Sequence, residues 1–262
     1  MRLLLAAVLV FAAHAACAQV APPPDALKQL APTGKLRAAI NYGNGVLATK
    51  GSDGPAGISA DLSRELAKRL GVELEFVTFT AAGKAFEAAK ANTIDVLFVA
   101  IEPVRAAEVE FTAPYVLIEG AYMVLKSSPV REPDELDKPG VRIALGEGSA
   151  YDLYLTRTLK HASLRRTAGG CCKNIELFLS DKLDAAAGVR QPLNDYARQH
   201  DNVRVLEKPF QQIRQAMGTP KGRLAAAAYL RTFVEEMKAS GFVADALKRH
   251  NQPDAQVAPP EK

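Results

Sequence analysis

Residues 95–105 read Asp-Val-Leu-Phe-Val-Ala-Ile-Glu-Pro-Val-Arg, an apolar run that leads into a charged segment around a proline. The unbroken apolar stretch Asp95–Ala100 is typical of a strand that is buried on both faces of a sheet. Pro103 suits the first position of a short helix, which places Arg105 in the first turn of that helix. The free N–H groups of a first turn and a guanidinium together favour a carboxylate or a phosphate. A surface ion pair between Arg105 and Glu108, one turn away, explains the pattern equally well.

The same order of residues recurs 89 positions later, which indicates two similar units. Asp184 begins a second apolar strand, and Pro192 stands eight residues on, as in the first segment. Strands and helices alternate around both segments, so we predict an α/β protein with largely parallel sheets. Ligands of such sheets bind beyond the carboxyl ends of the strands. Two sheets that face each other place residues 100–102 and 189–191 on opposite walls of one cleft.

Composition narrows the class of protein. The 262 residues allow one or two domains of about 150 residues each, and 48% of them are hydrophobic, which is enough for a full core. The formal net charge of +4 is too small to indicate nucleic-acid binding. The cysteines and histidines lack the spacing of a zinc site. We therefore expect a globular protein with no metal, no cofactor and no nucleic-acid partner.

The N-terminus has the order of a secretory signal. Arg2 precedes the apolar run from Leu3 to Ala13, and Ala16-Cys17-Ala18 fits an A-x-A cleavage site. We predict a signal peptide at residues 1–18 and a periplasmic location. A membrane anchor is the alternative, but the run is short for a spanning helix. A lipoprotein signal has an apolar residue three positions before the modified cysteine, where this chain has His14.

Both flanks of the mature chain are rich in proline. Residues 19–33 include Ala21-Pro22-Pro23-Pro24 and are predicted to be an extended N-terminal segment. Residues 252–262 include Pro259-Pro260 and are predicted to be a polar tail.

A glycine-rich loop offers a second place for an anion. Gly146-Glu147-Gly148-Ser149 opens a predicted helix, and its N–H groups and the Ser149 hydroxyl are suited to hold an anion. Ser149-Ala150-Tyr151-Asp152 is a capping box, so Ser149 serves as an N-cap, a ligand or both. The loop is neither a dinucleotide fingerprint nor a P-loop. The histidines form no catalytic triad, and the adjacent pair Cys171-Cys172 indicates free thiols or a strained bond.

With these residues in place, the sequence resembles the type 2 periplasmic binding proteins, specifically the family 3 extracellular solute-binding proteins of ABC importers. The resemblance runs from about Gly34 to Asn251. It implies two α/β lobes joined by two crossing segments, with a ligand cleft between the lobes. We expect lobe 1 at residues 34–122 and 217–251, and lobe 2 at residues 126–208. The motifs that carry the resemblance are Gly34–Ile40, Gly57–Leu62, Pro103–Glu108, Phe111–Tyr115, Lys182–Ala185 and Gly241-Phe242.

The resemblance also implies roles for single residues. Arg105 matches the arginine that binds the ligand carboxylate. Ala100 and Glu102 match positions that contact amino or carboxylate groups of the ligand, and the second position is usually Thr or Ser. Ser149 and Ala150 match a pair of hydroxyl residues of the second lobe, of which Ala150 lacks the hydroxyl.

One position departs from the amino-acid binders of this family. They usually carry an aspartate for the α-amino group where this chain has Val189, and a buried ammonium without a carboxylate is costly. Either the ligand has no α-amino group, or Glu102 supplies the charge. In the first case Arg190 is suited to meet a second acidic group. Tyr42 is the nearest candidate for the aromatic residue that clamps the ligand.

Two classes of function follow. The first is a non-catalytic monomeric receptor that binds a small anionic or zwitterionic ligand and delivers it to the membrane permease of an ABC transporter. The second is a secreted lyase or dehydratase that acts on a small carboxylic acid in the same cleft. The sequence contains no recognisable acid–base pair, which favours the receptor.

Cleavage after Ala18 is directly testable. The exported protein is expected to begin at Gln19 and to carry no lipid, because His14 disfavours lipidation of Cys17. Intact-mass measurement of the exported protein checks both points. A diacylglyceryl adduct on Cys17 would contradict the prediction.

Overall fold

The structure, a computed structural model, describes residues 21–169 and 172–261. The predicted signal peptide, Cys17 and Cys171 lie outside these residues. The described strands are β1 (Lys35–Asn41), β2 (Thr49–Gly51), β3 (Gly54–Ala56), β4 (Glu73–Phe79), β5 (Leu97–Ala100), β6 (Val109–Leu125), β7 (Arg142–Gly146), β8 (Ser163–Thr167), β9 (Ala185–Val189), β10 (Val203–Val205), β11 (Gln211–Pro220) and β12 (Gln256–Val257). The described helices are α1 (Pro24–Leu30), α2 (Ile58–Leu70), α3 (Ala82–Lys90), α4 (Pro103–Ala106), α5 (Ala150–Thr158), α6 (Lys173–Ser180), α7 (Arg190–Gln199), α8 (Leu224–Ala239) and α9 (Phe242–Arg249), with a 3-10 helix at Pro133–Leu136.

Two long antiparallel strands, β6 and β11, run through the middle of the fold. They pair from Gly120 opposite Gln211 to Val109 opposite Pro220. Near the start of β6, β11 also pairs with β5, whereas the last residues of β6 pair with β9 and β10. One half of the fold therefore lies at each end of this pair. We call β1, β4 and β5 with α1–α4, α8 and α9 lobe 1, and β7–β10 with α5–α7 lobe 2.

The parallel strands predicted from the sequence are present in both lobes. In lobe 1, β1 pairs with β4 over its whole length, and Ala38 forms a parallel bridge to Val96, the residue before β5. In lobe 2, β7 pairs in parallel with β8 and β9. The prediction of separate sheets is wrong in one respect, because hydrogen bonding continues from β5 to β8 through the crossing pair β6 and β11. The predicted lobe boundaries stay predictions.

In each lobe, an aspartate that precedes one strand forms hydrogen bonds with the backbone of a neighbouring parallel strand. In lobe 1 the backbone N–H of Arg37 donates to Asp95 Oδ2 at 2.9 Å, and the N–H of Asp95 donates to the Arg37 carbonyl at 2.8 Å. In lobe 2 the N–H of Arg142 donates to Asp184 Oδ2 at 2.7 Å, and the N–H of Asp184 donates to the Arg142 carbonyl at 3.0 Å. The repeat predicted from the sequence is thus a repeat of hydrogen bonds as well as of strands.

Both flanking segments are packed on lobe 1, so two predictions need correction. Residues 24–30 of the supposed extended segment form α1, which buries Ala26 and Leu30. Proline tolerates the first turn of a helix, and α1 begins with Pro24 at that position. The supposed polar tail contains β12, which pairs with β6, and Ala258 is buried.

The sequence favours Ser59 and Asn174 as helix N-caps, because each is a polar residue at the start of an apolar helical pattern. Both predictions are wrong. The helix α2 begins at Ile58 after Gly57, which has a φ of 102°, and a Cβ added to Gly57 would lie 2.5 Å from the Leu47 carbonyl oxygen. Asn174 is a buried residue inside α6. Within the described part of the chain, no helix has both the length and the apolar character to cross a membrane.

Removal of the lobe 1 carboxylate is expected to destabilise the fold far more than removal of its lobe 2 counterpart. Asp95 is fully buried and pairs with Arg37 and Arg223 at 2.8 Å, whereas the Asp184 side chain is 44% exposed. Asp95→Ala should lower the free energy of unfolding by about 3–5 kcal/mol, because it leaves two guanidiniums without their acid. Asp184→Ala should cost about 1 kcal/mol or less. Urea unfolding of both variants checks this, and equal losses would contradict it.

Candidate ligand cleft

A narrow cavity of about 40 Å³ lies between the two lobes. Ala100 and Arg105 line it from lobe 1, and Ser149, Ala150 and Val189 line it from lobe 2. Ala100 and Val189 are the two strand ends that the internal repeat aligned. The structure therefore brings four of the predicted site residues together at one cavity. Its volume has room for little more than a water molecule or two, so the lobes are in close contact.

Arg105 bridges the two lobes from a fully buried position. It lies in the short helix α4, which Pro103 opens as predicted, and only 1% of it is exposed. Its Nη1 donates to the Ala100 carbonyl at 3.1 Å, and its Nη2 donates to the Gly148 carbonyl of lobe 2 at 2.8 Å. Among the described residues it forms no ion pair, so the alternative of a surface pair with Glu108 is wrong.

Burial weakens the preference of Arg105 for its proton without removing the charge. Loss of hydration lowers the pKa of the guanidinium to about 10, and the nearby carboxylate of Glu102 opposes that shift. The side chain is therefore cationic at neutral pH, inside a cavity that excludes most water.

Glu102 is buried beside the cavity but is occupied by protein partners. Only 2% of it is exposed, and its carboxylate accepts hydrogen bonds from Arg157 of lobe 2 and from Gln211 Nε2 at 3.0 Å. It does not line the cavity. The hypothesis that Glu102 meets a ligand ammonium thus has no support from this geometry. Its carboxylate instead joins the lobes through Arg157.

In the glycine-rich loop of lobe 2, Ser149 caps α5 as predicted. Ser149 Oγ accepts a hydrogen bond from the Asp152 N–H at 3.0 Å, but the second bond of a capping box is shifted by one residue, because Asp152 Oδ2 accepts from the Gly148 N–H at 2.9 Å. Ser149 also lines the cavity, where the ligand contact is predicted.

The backbones of the two lobes meet at a pair of glycines. A Cβ added to Gly83 of α3 would lie 3.5 Å from the Gly148 Cα, and a Cβ added to Gly148 would lie 3.2 Å from the Gly83 Cα. Gly83 would admit an alanine at ordinary contact distance, whereas the φ of 67° at Gly148 favours glycine.

Besides Glu102, two more predicted site residues lie outside the cavity lining. The Arg190 guanidinium binds Glu119 and the carbonyls of Leu206 and Glu207, the last two at 3.0 and 2.8 Å. Tyr42 packs beside a small apolar cluster and under Lys50, whose Nζ is 5.6 Å from the ring centroid. Neither side chain contributes to the cavity, because each is held by partners elsewhere.

Sequence reasoning missed three kinds of lining residue. Tyr151, buried in the first turn of α5, supplies the aromatic surface that was assigned to Tyr42. Asn41, the last residue of β1, and Asn44, in the turn after it, line the cavity where the rule about strand ends would have placed them. Glu147, an exposed residue of the glycine-rich loop, also lines the cavity.

The arrangement suits the binding of a small anion. It offers one buried cation, a capped helix terminus, two aromatic residues and one exposed acidic residue. Across residues 21–169 and 172–261, no group of three or more His, Cys, Asp or Glu side chains is placed to hold a metal ion.

Comparisons with known proteins agree with this architecture. The family model of the bacterial extracellular solute-binding proteins, family 3, matches residues 44–253. Similar solved structures include an ancestral amino acid-binding protein described as a precursor of cyclohexadienyl dehydratase. It is 23% identical, with a TM-score of 0.71 over 85% of this chain and 98% of that one. A search of curated proteins found no match.

Two further structures have the same fold. A variant of the ArgBP protein from T. maritima is 19% identical, with a TM-score of 0.74 over 86% of this chain and 99% of that one. A solute receptor for L-cysteine from Neisseria gonorrhoeae is 18% identical, with a TM-score of 0.75 over 87% of this chain and 94% of that one. At these identities the likeness shows the fold, two α/β lobes around a cleft.

Loss of the Glu102–Arg157 pair is expected to favour an open arrangement of the lobes. The Arg157 side chain is 43% exposed and that of its partner is 2% exposed. Arg157→Ala should therefore destabilise the closed arrangement of the lobes by about 1–2 kcal/mol, between the values for exposed and buried pairs. Small-angle X-ray scattering of the purified protein should then give a larger radius of gyration.

The matched control is Arg198→Ala, which removes an arginine paired with Asp195 within α7. It should leave the radius unchanged. An equal radius for both variants would show that the Glu102–Arg157 pair does not hold the lobes together.

Proposed function

Because this chain belongs to the bacterial extracellular solute-binding proteins, family 3, we propose that it is a non-catalytic receptor of an ABC importer. It binds a small carboxylate-bearing ligand, an amino acid or an amine-free organic acid, between its lobes. It then delivers the ligand, as a monomer in the periplasm, to a membrane permease. The secretory pattern of the N-terminus supports the location.

The observation that carries the proposal is a buried guanidinium without a carboxylate. Arg105 donates only to main-chain carbonyls among its described partners, while the adjacent acid, Glu102, is bound to Arg157. A guanidinium has five N–H donors, and two of them make these bonds. A buried charge without a counter-ion costs several kcal/mol, which an anionic ligand offsets. A carboxylate matches the planar fork of the guanidinium.

Lobe closure follows from the position of this cation. Arg105 belongs to lobe 1 and contacts the Gly148 carbonyl directly before Ser149 of lobe 2. A carboxylate that takes the place of that carbonyl contact lies between the guanidinium and the capped terminus of α5, so both lobes bind the same group. A similar structure, an amino acid ABC transporter substrate-binding protein from Streptococcus pneumoniae, is bound to L-arginine, which supports a ligand of that size.

A secreted lyase or dehydratase is the second candidate. One similar structure is described as a precursor of cyclohexadienyl dehydratase. Glu147 lines the same cavity as the cationic Arg105, as an acid–base group would. Disappearance of a bound acid from a mixture with the purified protein, followed by mass spectrometry, would favour the enzyme. Recovery of the acid unchanged would favour the receptor.

Substitution of Arg105 tests the proposal. Mass spectrometry of small molecules released by mild denaturation first identifies candidate ligands. Arg105→Ala should then weaken binding of a carboxylate ligand by about 30- to 4,000-fold, the usual effect of removing a buried charged contact. Calorimetry measures the affinity, and circular dichroism confirms that the variant is folded.

Arg190→Ala is the matched control, since the Arg190 side chain binds Glu119 away from the cavity. It should leave the affinity unchanged. Tight binding of a cationic amino acid such as lysine, unaffected by Arg105→Ala, would contradict the proposal.

A further inference from the structure

A small recess with two asparagines in its lining adjoins the cleft on the side of Val189. It has a volume of about 10 Å³ and is lined by Gly43 and Asn44 of lobe 1 and by Tyr151, Asn174 and Val189 of lobe 2, among others. Asn44, Tyr151 and Val189 also line the main cavity. The recess is therefore continuous with the place proposed for the ligand carboxylate.

Two amide oxygens in this recess lack hydrogen-bond partners. The Oδ1 atoms of Asn44 and Asn174 are both buried, and neither accepts a hydrogen bond from any described residue. Only 2% of Asn174 is exposed, and its Nδ2 donates to the Ala187 carbonyl at 2.6 Å. That bond fixes which end of the amide is the donor, so the oxygen is left as an acceptor.

Buried oxygens without partners are stabilised when a hydrogen-bond donor binds to them. A buried acceptor without a partner costs about 1–3 kcal/mol. Here one acceptor comes from each lobe, and both residues line the same recess. An N–H or O–H group in the recess would donate its proton to one of these oxygens or share it between both.

The charge of the recess limits the kind of donor. None of the residues that line it is an Asp, Glu, Lys, Arg or His, and the nearby strand end is the apolar Val189. The carboxylate of Glu147 lines the main cavity instead. An ammonium in the recess would lose its hydration without gaining an anion, which is costly. A hydroxyl or an amide N–H has no such cost, and the volume suits about one heavy atom.

We propose that this recess is a subsite for an uncharged hydrogen-bond donor of the ligand, bound between the amide oxygens of Asn44 and Asn174. The inference rests on the proposed binding of a carboxylate by Arg105. It specifies the ligand class as a hydroxy acid, or an acid with an amide N–H near its carboxylate, rather than an α-amino acid.

The test compares acids that differ in one group. Three triads share a carbon chain and carry a hydroxyl, an amine or hydrogen at position 2: lactate, alanine and propionate; phenyllactate, phenylalanine and phenylpropionate; malate, aspartate and succinate. Calorimetry on the ligand-free protein should show that the hydroxy acid of a bound triad binds at least about tenfold more tightly than its partners, as one satisfied buried hydrogen bond gives.

Two variants locate the effect in the recess. Asn44→Ala should bring the affinities of the hydroxy acid and the unsubstituted acid together. Asn44→Asp, which adds a carboxylate, should raise the affinity for the amino acid relative to the hydroxy acid by about tenfold or more. Asn202→Asp adds the same charge at an exposed turn and should change neither ratio.

The outcomes separate this inference from the proposed function. Binding that depends on Arg105 but is tightest for the amino acid in the unaltered protein overturns the inference alone. Ratios that do not respond to either Asn44 variant do the same. If no acid of any triad binds, the proposed function and the inference both fail.

Discussion

The antiparallel pairing of β6 with β11 is the constraint on which the rest of the structure depends. Both strands extend from one lobe to the other. The register of their pairing, from Gly120 opposite Gln211 to Val109 opposite Pro220, therefore fixes how the lobes face each other. Gln211, the first residue of β11, donates to Glu102 from this crossing point. The strand pair is thus in direct contact with the charged groups between the lobes. A change in the twist of these strands would therefore move those charged groups.

Two buried charges of opposite sign lie three residues apart and differ in how they are neutralised. Glu102 finds its cation within the protein, in Arg157 of the other lobe. Arg105 finds only carbonyl dipoles. Dipoles compensate a charge less completely than an ion does, because they bring no net charge of their own. This difference explains why Glu102 stabilises the contact between the lobes, whereas Arg105 is available for an anion.

Local patterns were predictable from the sequence where neighbouring residues decide them. The cap at Ser149 and the start of α4 at Pro103 depend on short-range sterics and hydrogen bonds. The long strands β6 and β11 were not predicted as strands, since their pairing is between residues about a hundred positions apart and β6 contains a proline. The protein partners of Glu102 and Arg190 were not predicted for the same reason. These partners, Arg157 and Glu119, are distant in sequence.

The contact between Gly83 and Gly148 makes the lobe interface adjustable at one position. The Cβ of an alanine at residue 83 would lie in contact with the opposite backbone, at 3.5 Å. Each larger side chain would push the two backbones further apart. Gly148 does not offer the same freedom, because its φ of 67° disfavours any side chain. Side chains of increasing size at position 83 should therefore raise, step by step, the fraction of molecules with separated lobes. Ligand release would change with that fraction, although the groups that touch the ligand stay the same.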